Sequence, residues 1–369
     1  MISDPALASW LQLSLAPGLG AATIRKLLSQ FGLPERVIAA NRSELARYAS
    51  AEALRALDSE AVAGAVARAL AWLEEPGNSI VTLADAAYPR LLLEITDPPA
   101  VLYCRGRTEL LNRPALALVG SRNATAQGSS NAEQFARSFS ASGLTIVSGL
   151  AQGIDAAAHR GALGGEGSTI AVLGTGADIT YPPGNAALAA EIAAHGLLLS
   201  EFALGTMALA HNFPRRNRLI SGLAQGCLVI EAALASGSLI TARAAAEQGR
   251  EVFAVPGSIH SPLSKGCHAL IKSGAKLVES AEDVLAELSA FRRTGFASTR
   301  AAANAATAAD AAGSAEEPLL VCMGFDPVDV DSLCARAGLP AERVSADLLR
   351  LELAGRITVL PGGLYQRLN

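Results

Sequence analysis

Between residues 81 and 288 the chain alternates two kinds of pattern. Short, nearly unbroken apolar runs occupy residues 115–119, 144–147, 170–173, 197–199, 227–230, 252–255 and 276–278. Between most of them lie stretches with helical spacing, such as 131–142 and 155–163. Strands that are apolar on both faces and separated by helices predict a parallel sheet covered on two sides. A ligand of such a sheet is expected at the carboxyl ends of its strands.

The flanking segments read differently. Leu7, Trp10, Leu11 and Leu15 make one helical face, and Ile24, Leu27, Leu28 and Phe31 make another, closed by Gly32. Pro17-Gly18-Leu19-Gly20 joins them, and Pro76-Gly77 stops the helices after Trp72. Residues 1–80 are therefore expected to be a helical domain of helix-hairpin-helix, SAM-like type. Its glycine turn suits either close approach to a DNA phosphate or a plain tight turn. Residues 289–317 are rich in Ala, Thr, Ser and Gly, and predict a flexible linker. In 318–369 a helix over 331–337 and a turn at Gly338-Leu339-Pro340 come first. A second helix carrying Val344, Leu348 and Leu351 then ends at Gly355, and a hairpin closes through Pro361-Gly362-Gly363. Helix-turn-helix followed by a hairpin predicts a winged helix.

Composition narrows the picture. The chain has 369 residues, half of them apolar and 17% charged, which supports more than one buried core. A net charge of −4 argues against a surface coated for nonspecific duplex binding, and leaves room for a local basic pocket. Five scattered cysteines without a C-x-x-C pair predict a reducing compartment and no disulfide framework. Cys267-His268 and His260 fit no common zinc spacing, so no metal is expected. No basic residue precedes an apolar stretch near Met1, and charged residues interrupt the most apolar windows. No secretory leader, membrane span or membrane partner is expected, and a cytoplasmic location is.

The candidate chemistry gathers at strand ends. Four glycine-bearing loops lie there: Gly120-Ser121-Arg122, residues 148–153 with Ser148, Gly149 and Gly153, Gly174-Thr175-Gly176, and Ser236-Gly237-Ser238-Leu239. Backbone N–H groups at such turns bind anions, and several along one sheet edge suit a chain of phosphates. Arg122 adds a forked donor, and Ser238 and Thr241 add hydroxyls that either contact phosphate or cap the helix. Phe213-Pro214-Arg215-Arg216-Asn217-Arg218 sets an aromatic ring beside three arginines, an arrangement suited to single-stranded nucleic acid. No acid lies between Gly205 and Gln225, which predicts a locally uncompensated positive field. Asp155 reads as a helix cap, and its pairing with His159 as acid and base lacks a nucleophile or metal. A complete G-x-G-x-x-G, a Walker A lysine motif and a G-x-S-x-G elbow are missing, so no nucleotide cofactor is expected.

In order along the chain, these pieces resemble the DNA-processing protein A family (DprA, also called Smf). The resemblance rests on Tyr88-Pro89, Asp97-Pro98-Pro99 and Leu102-Tyr103, then Gly120-Ser121-Arg122 and Ser148-Gly149-x-Ala151-x-Gly153-Ile154-Asp155 with Ala158-His159. It continues through Phe213-Pro214-x-Arg216-Asn217-Arg218 and Glu231-Ala232, then the run from Ser236 to Ala242, and Val255-Pro256-Gly257. It implies an extended Rossmann-like α/β sheet domain over 81–288, between the helical domain and the winged helix. It further implies a non-enzymatic, cytoplasmic factor of natural transformation (competence), dimeric through the sheet domain. Such a factor binds and shields incoming single-stranded DNA and loads RecA recombinase onto it. The family's DNA pocket carries over onto Gly120, Ser121, Arg122, Phe213, Arg216, Asn217 and Arg218, and onto the 148–153 loop. Where many members have Gly-x-Asn, this chain has Gly266-Cys267-His268.

Two rival readings remain at this stage. One is a nucleotide enzyme of the phosphoribohydrolase type, although the only Pro-Gly-Gly lies at 361–363 and not in the comparable region. The other is a duplex-binding regulator using residues 318–369. Its second helix sets Arg343 and Arg350 against Glu342, Asp347 and Glu352, which disfavours duplex readout.

Overall fold

The computed structural model describes residues 5–295 and 318–368. Six helices come first: α1 (Pro5–Leu15), α2 (Ala21–Phe31), α3 (Pro34–Ala39), α4 (Arg42–Leu45), α5 (Ala51–Leu57) and α6 (Glu60–Trp72). Side-chain caps start three of them: Asn41 accepts from Ser43 N–H, Ser50 from Ala53 N–H and Ser59 from Val62 N–H. Gly32 closes α2 at φ +89, its N–H donating to Leu28 O. Trp10, Leu11, Leu13, Leu27, Leu45 and Leu57 fill the centre of this helical layer. Each such buried side chain contributes about 1.5–3 kcal/mol.

The helical layer rests on two strands that were not among the expected elements, β1 (Asn78–Thr82) and β2 (Val101–Gly106), separated by the short helix α7 (Arg90–Leu93). They pair antiparallel with each other, and β2 pairs antiparallel with β6. Val101 and Tyr103 of β2 face the helices, Trp72 meeting Tyr103 edge-on at 5.9 Å. The boundary expected at residue 80 thus falls inside β1.

The rest of the sheet follows the expected alternation: β3 (Ala115–Gly120), α8 (Ala126–Ala141), β4 (Thr145–Ser148), α9 (Ile154–Leu163), β5 (Thr169–Val172), α10 (Ala186–His195), β6 (Leu197–Ser200), α11 (Asn212–Gly222), β7 (Gly226–Ile230), α12 (Ser238–Glu247), β8 (Glu251–Ala254), α13 (Lys265–Lys272), β9 (Lys276–Leu277) and α14 (Ala281–Gly295). The strand order is β1-β2-β6-β5-β4-β3-β7-β8-β9, and β6 through β9 are parallel. Ala115, Ala117 and Val119 face the core under α11 and α12, while Leu116 and Leu118 face the core under α9 and α14. That two-residue alternation with both faces buried is why the strands read as continuous apolar runs. Ser289–Gly295, expected to open the linker, belongs to α14; the linker from 296 to 317 lies outside the described residues.

Residues 318–368 have their own core. Its elements are α15 (Pro318–Met323), β10 (Val328–Asp329), α16 (Val330–Ala337), α17 (Ala341–Leu353), β11 (Ile357–Leu360) and β12 (Leu364–Arg367). The strand order is β10-β12-β11, and Leu320, Leu333, Val344, Leu348 and Ile357 pack beneath. Asp329 caps α16 by accepting from Ser332 N–H at 2.7 Å, and Gly338 ends it in the left-handed region. This is a winged helix; α15 and β10 are additions to the expected elements.

Candidate nucleic-acid interface

The chain runs outward from β3 in one direction through β4, β5 and β6, then returns through α11 to place β7 on the other side of β3. The order therefore reverses between β3 and β7, where an open α/β sheet leaves a crevice beyond its strand ends. A groove of about 740 Å³ lies there, lined among others by Gly120, Ser121, Arg122, Phe213, Arg216 and Asn217. Ser238 and Thr241 line its far side.

Glycine is required where backbones meet at this edge. A Cβ on Gly120 would sit 1.9 Å from Ile230 O, and one on Gly153, at φ +74, would sit 2.3 Å from Ser121 O. These contacts hold the β3 loop between β7 and the start of α9. Ser121 N–H donates to Glu231 O at 2.7 Å, and Ile154 N–H donates to Ser121 O. Glu231 and Leu150 hold positive φ (52 and 58), strained backbone confined to this edge and to Ser168 among non-glycine residues described.

The 148–153 loop is filled from within, which corrects its expected role as an open phosphate cradle. Gly149 N–H and Ala151 N–H donate to Asp155 Oδ2 at 3.1 and 3.4 Å, and Leu150 N–H donates to His159 Nε2. Ser148 Oγ donates to Leu118 O, and Gly149 is so enclosed that a Cβ would meet both Arg216 and Asp155. Ser148 and Gly149 are buried and Gly153 is half-exposed, while Ala151 and Asp155 of the same segment line the groove. Asp155 is not the helix cap either: Gly153 takes that position, and the carboxylate receives the amides of the preceding loop.

His159 has both ring nitrogens engaged. Thr169 Oγ1 donates to Ile146 O, so it accepts from Nδ1–H, and Nε2 accepts from Leu150. Burial first, then Arg216 and Arg160, pushes its pKa down to about 3. An unfolded histidine takes its proton near pH 6.5, so stability is full above about that pH and falls below it by up to about 1.4 kcal/mol per pH unit. His159→Gln is expected to flatten this acid-side fall in urea unfolding between pH 6.5 and 5. An equal fall in the variant would assign the dependence to another group.

The basic hexamer is helical and lies in the first turns of α11. Helical spacing then sorts its residues. Phe213, Arg216, Asn217 and Ile220 share the face toward the groove, and Arg215 and Arg218 point away from it. The expected uncompensated field is corrected by carboxylates distant in sequence. Arg218 and Arg215 both pair with Glu201, at 2.5 and 3.4 Å, and Arg218 also lies 3.7 Å from Asp97. Burial raises the pKa of Glu201, with Arg218 and Arg215 opposing. Arg216 is only 4% exposed; Nη1 donates to Gly149 O at 2.7 Å and to Val172 O, and Nε to Asn217 Oδ1. Burial, offset by Asp155 and reinforced by Arg122, pushes its pKa down to about 10. Burial likewise raises that of Asp155, against the pull of Arg216.

Arg122 is the exposed cation of the groove. It has no carboxylate partner among the described residues, and its guanidinium lies 5.8 Å from the Phe213 ring centroid. Arg216 lies 5.9 Å from the same ring. Tyr181, which the sequence reading did not single out, is 44% exposed and its ring is 5.6 Å from Phe213. The only sequence signal was its place just beyond the Gly174-Thr175-Gly176 loop. Gly174 leaves room for the ring, since a Cβ there would lie 2.8 Å from Phe213 Cδ1. Gly176 N–H and Thr175 Oγ1 bond within the loop region, to Thr206 O and Ile179 O. Ser238 Oγ lies 2.7 Å from Ser236 Oγ, while Asn217 Nδ2 reaches Gly237 O at 3.4 Å, tying α11 to the start of α12.

Other candidates are committed elsewhere. His268 Nε2 lies 3.0 Å from Gly257 O. Burial pushes the thiols of Cys104 and Cys227 up to about 12 and that of Cys267 to about 11. Among the described residues no three His, Cys, Asp or Glu side chains gather as a metal site, and no helix is long and apolar enough to cross a membrane.

Comparison with known proteins agrees with this architecture. Residues 79–289 match the family model described as DNA recombination-mediator protein A, and 303–363 match the DprA winged helix domain. The chain is 45% identical to protein Smf of Escherichia coli (strain K12) over 301 residues, 81% of this chain and 80% of that one. It is 50% identical to DNA processing protein DprA of Streptococcus pneumoniae over 206 residues, 56% of this chain and 73% of that one. The X-ray structure of DprA from Streptococcus pneumoniae superposes with a TM-score of 0.63 at 40% identity, covering 78% of this chain and 99% of that one. DNA processing protein A from Helicobacter pylori, described for its unique single-stranded DNA binding mode, superposes with a TM-score of 0.53 at 32% identity, covering 58% and 97%. With the whole sheet from β2 to β9 inside the family match, and the glycine-bound β3 loop at its switch point, the chain belongs to the DNA-processing protein A (DprA/Smf) family.

Proposed function

We propose that the groove at the β3/β7 switch point seats single-stranded DNA, and that the protein shields incoming strands in natural transformation and loads RecA recombinase onto them. The observation that carries this reading is Arg122: an exposed, unpaired guanidinium over the Phe213 ring, with Tyr181 alongside. A cation beside the exposed Tyr181 ring and the half-buried Phe213 ring suits a phosphate with unstacked bases next to it, which paired duplex bases cannot offer. The Helicobacter pylori relative, described for single-stranded DNA binding, supports the same ligand class. RecA loading, a cytoplasmic location and a homodimer formed through the sheet domain rest on the family resemblance.

The groove binds without catalysis in this reading. Asp155 and His159, the acid–base pair suggested by sequence, spend their acceptor and donor atoms on loop amides and Thr169. The experiment is fluorescence anisotropy with labelled dT oligonucleotides and a matching duplex across a salt series, with nucleoside monophosphates incubated in parallel. Single strands are expected to bind more tightly than duplex, and log K to fall with log salt by about 0.7 for each phosphate contacted. Equal affinity for duplex, or repeated release of free base, would sink the proposal.

A further inference from the structure

Resting on that reading of the groove, we propose that Glu201 is a positioning residue for single-stranded DNA binding: its carboxylate, held by Arg218 and Arg215 on the back of α11, fixes the rotation of that helix and keeps Phe213, Arg216 and Asn217 turned into the groove. Glu201 directly follows β6, and its side chain is 2% exposed. One oxygen, Oε2, takes both arginines, at 2.5 Å from Arg218 and 3.4 Å from Arg215. The other oxygen and Arg218 Nη1 are buried, with no hydrogen-bond partner among the described residues. A buried ion pair is a poor source of stability, because desolvation offsets most of its attraction. What it supplies is a fixed geometry.

The surroundings complete a clamp. Arg218 also reaches Asp97, its carbonyl accepts from Gln248 Nε2 at 3.1 Å, and the Arg215 guanidinium lies 5.4 Å from the Phe202 ring centroid. The back face of α11 is thereby tied to the end of β6, to the segment before β2 and to the end of α12. A rotation of α11 by one residue is about 100°. It would carry Phe213 off its seat on Gly174 and bring the Glu201-bound face toward the groove.

A competing role has the opposite sign. If Arg215 and Arg218 themselves contacted phosphates, Glu201 would compete with the DNA, and removing its charge would tighten binding and steepen the salt dependence. In the full chain, Glu201→Gln is expected to weaken dT-oligonucleotide binding about three- to tenfold, although it deletes a negative charge. Its log K against log salt slope stays at the wild-type value, and Glu201→Asp recovers part of the loss. Arg215→Gln removes only the longer, half-exposed contact to Glu201 and is expected to weaken binding less than Glu201→Gln does, with the wild-type slope. Unchanged or tighter binding by Glu201→Gln overturns the positioning role. So does a slope reduced by about 0.7 in Arg215→Gln, which also decides the matter should Glu201→Gln fail to fold. A wild-type chain that binds no oligonucleotide overturns the groove reading and this role together. Binding that is lost in Arg122→Ala but intact in Glu201→Gln removes this role alone.

Discussion

Replacing Arg216 with methionine is expected to lower the stability of the sheet domain by about 3–5 kcal/mol, the usual cost of removing one partner from a buried charge pair. Methionine keeps only the apolar stem of the side chain, so the loss combines the charge, the hydrogen bonds of Nη1 and the space the guanidinium filled. Arg216 holds the carbonyls of Gly149 and Val172 while its charge offsets that of Asp155. Without it, Asp155 keeps the two loop amides and the Ser148 side chain, but no counter-charge, in a buried site. The folded carboxyl, already raised by burial, then rises further. A folded pKa above the unfolded value of about 3.9 means stability present in acid and lost as pH rises through the folded value. The deficit of the variant should therefore be smaller at pH 4.5 than at pH 7.5 in urea unfolding, and adding Asp155→Asn should recover part of it. Wild-type stability in Arg216→Met would show that the guanidinium is not the counter-charge of Asp155.

The largest loss of binding is expected from Arg122→Ala combined with Phe213→Leu. A charged hydrogen bond contributes about 1.5–3 kcal/mol, and stacking of a base on an aromatic ring about 1–3 kcal/mol. Together they predict about a hundredfold weaker binding of single strands; Arg122→Ala alone should leave the melting temperature unchanged because Arg122 is exposed, whereas Phe213→Leu should lower it because the ring packs on Gly174. The effects should not add, since Arg122 and Phe213 touch and each orders the other. Arg122→Ala alone should reduce the salt slope by about 0.7, and Phe213→Leu should leave it unchanged. A Phe213→Leu variant that binds like wild type would remove base stacking from the mechanism.

The parallel strands, their order in the chain and the winged helix were legible in sequence, because each is written in local periodicity and turn residues. The groove at the strand ends was legible as a place too, since glycine marks the turns where two backbones nearly touch. The antiparallel strand β1 was not, because only its last two residues are buried, and the short apolar run Val101–Cys104 of β2 has no helix on either side of it with the spacing of the parallel repeat. Within the candidate site, sequence determined which residue types are present: an arginine after β3, an aromatic ring and three arginines ahead of β7. It could not determine which arginine remains accessible. That depends on the rotation of α11 and on Glu201 and Asp155, carboxylates 14 or more positions away from the residues they compensate. Charge acts through space, so only the folded chain separates Arg122, open to an anion, from Arg216 and Arg218, already spoken for.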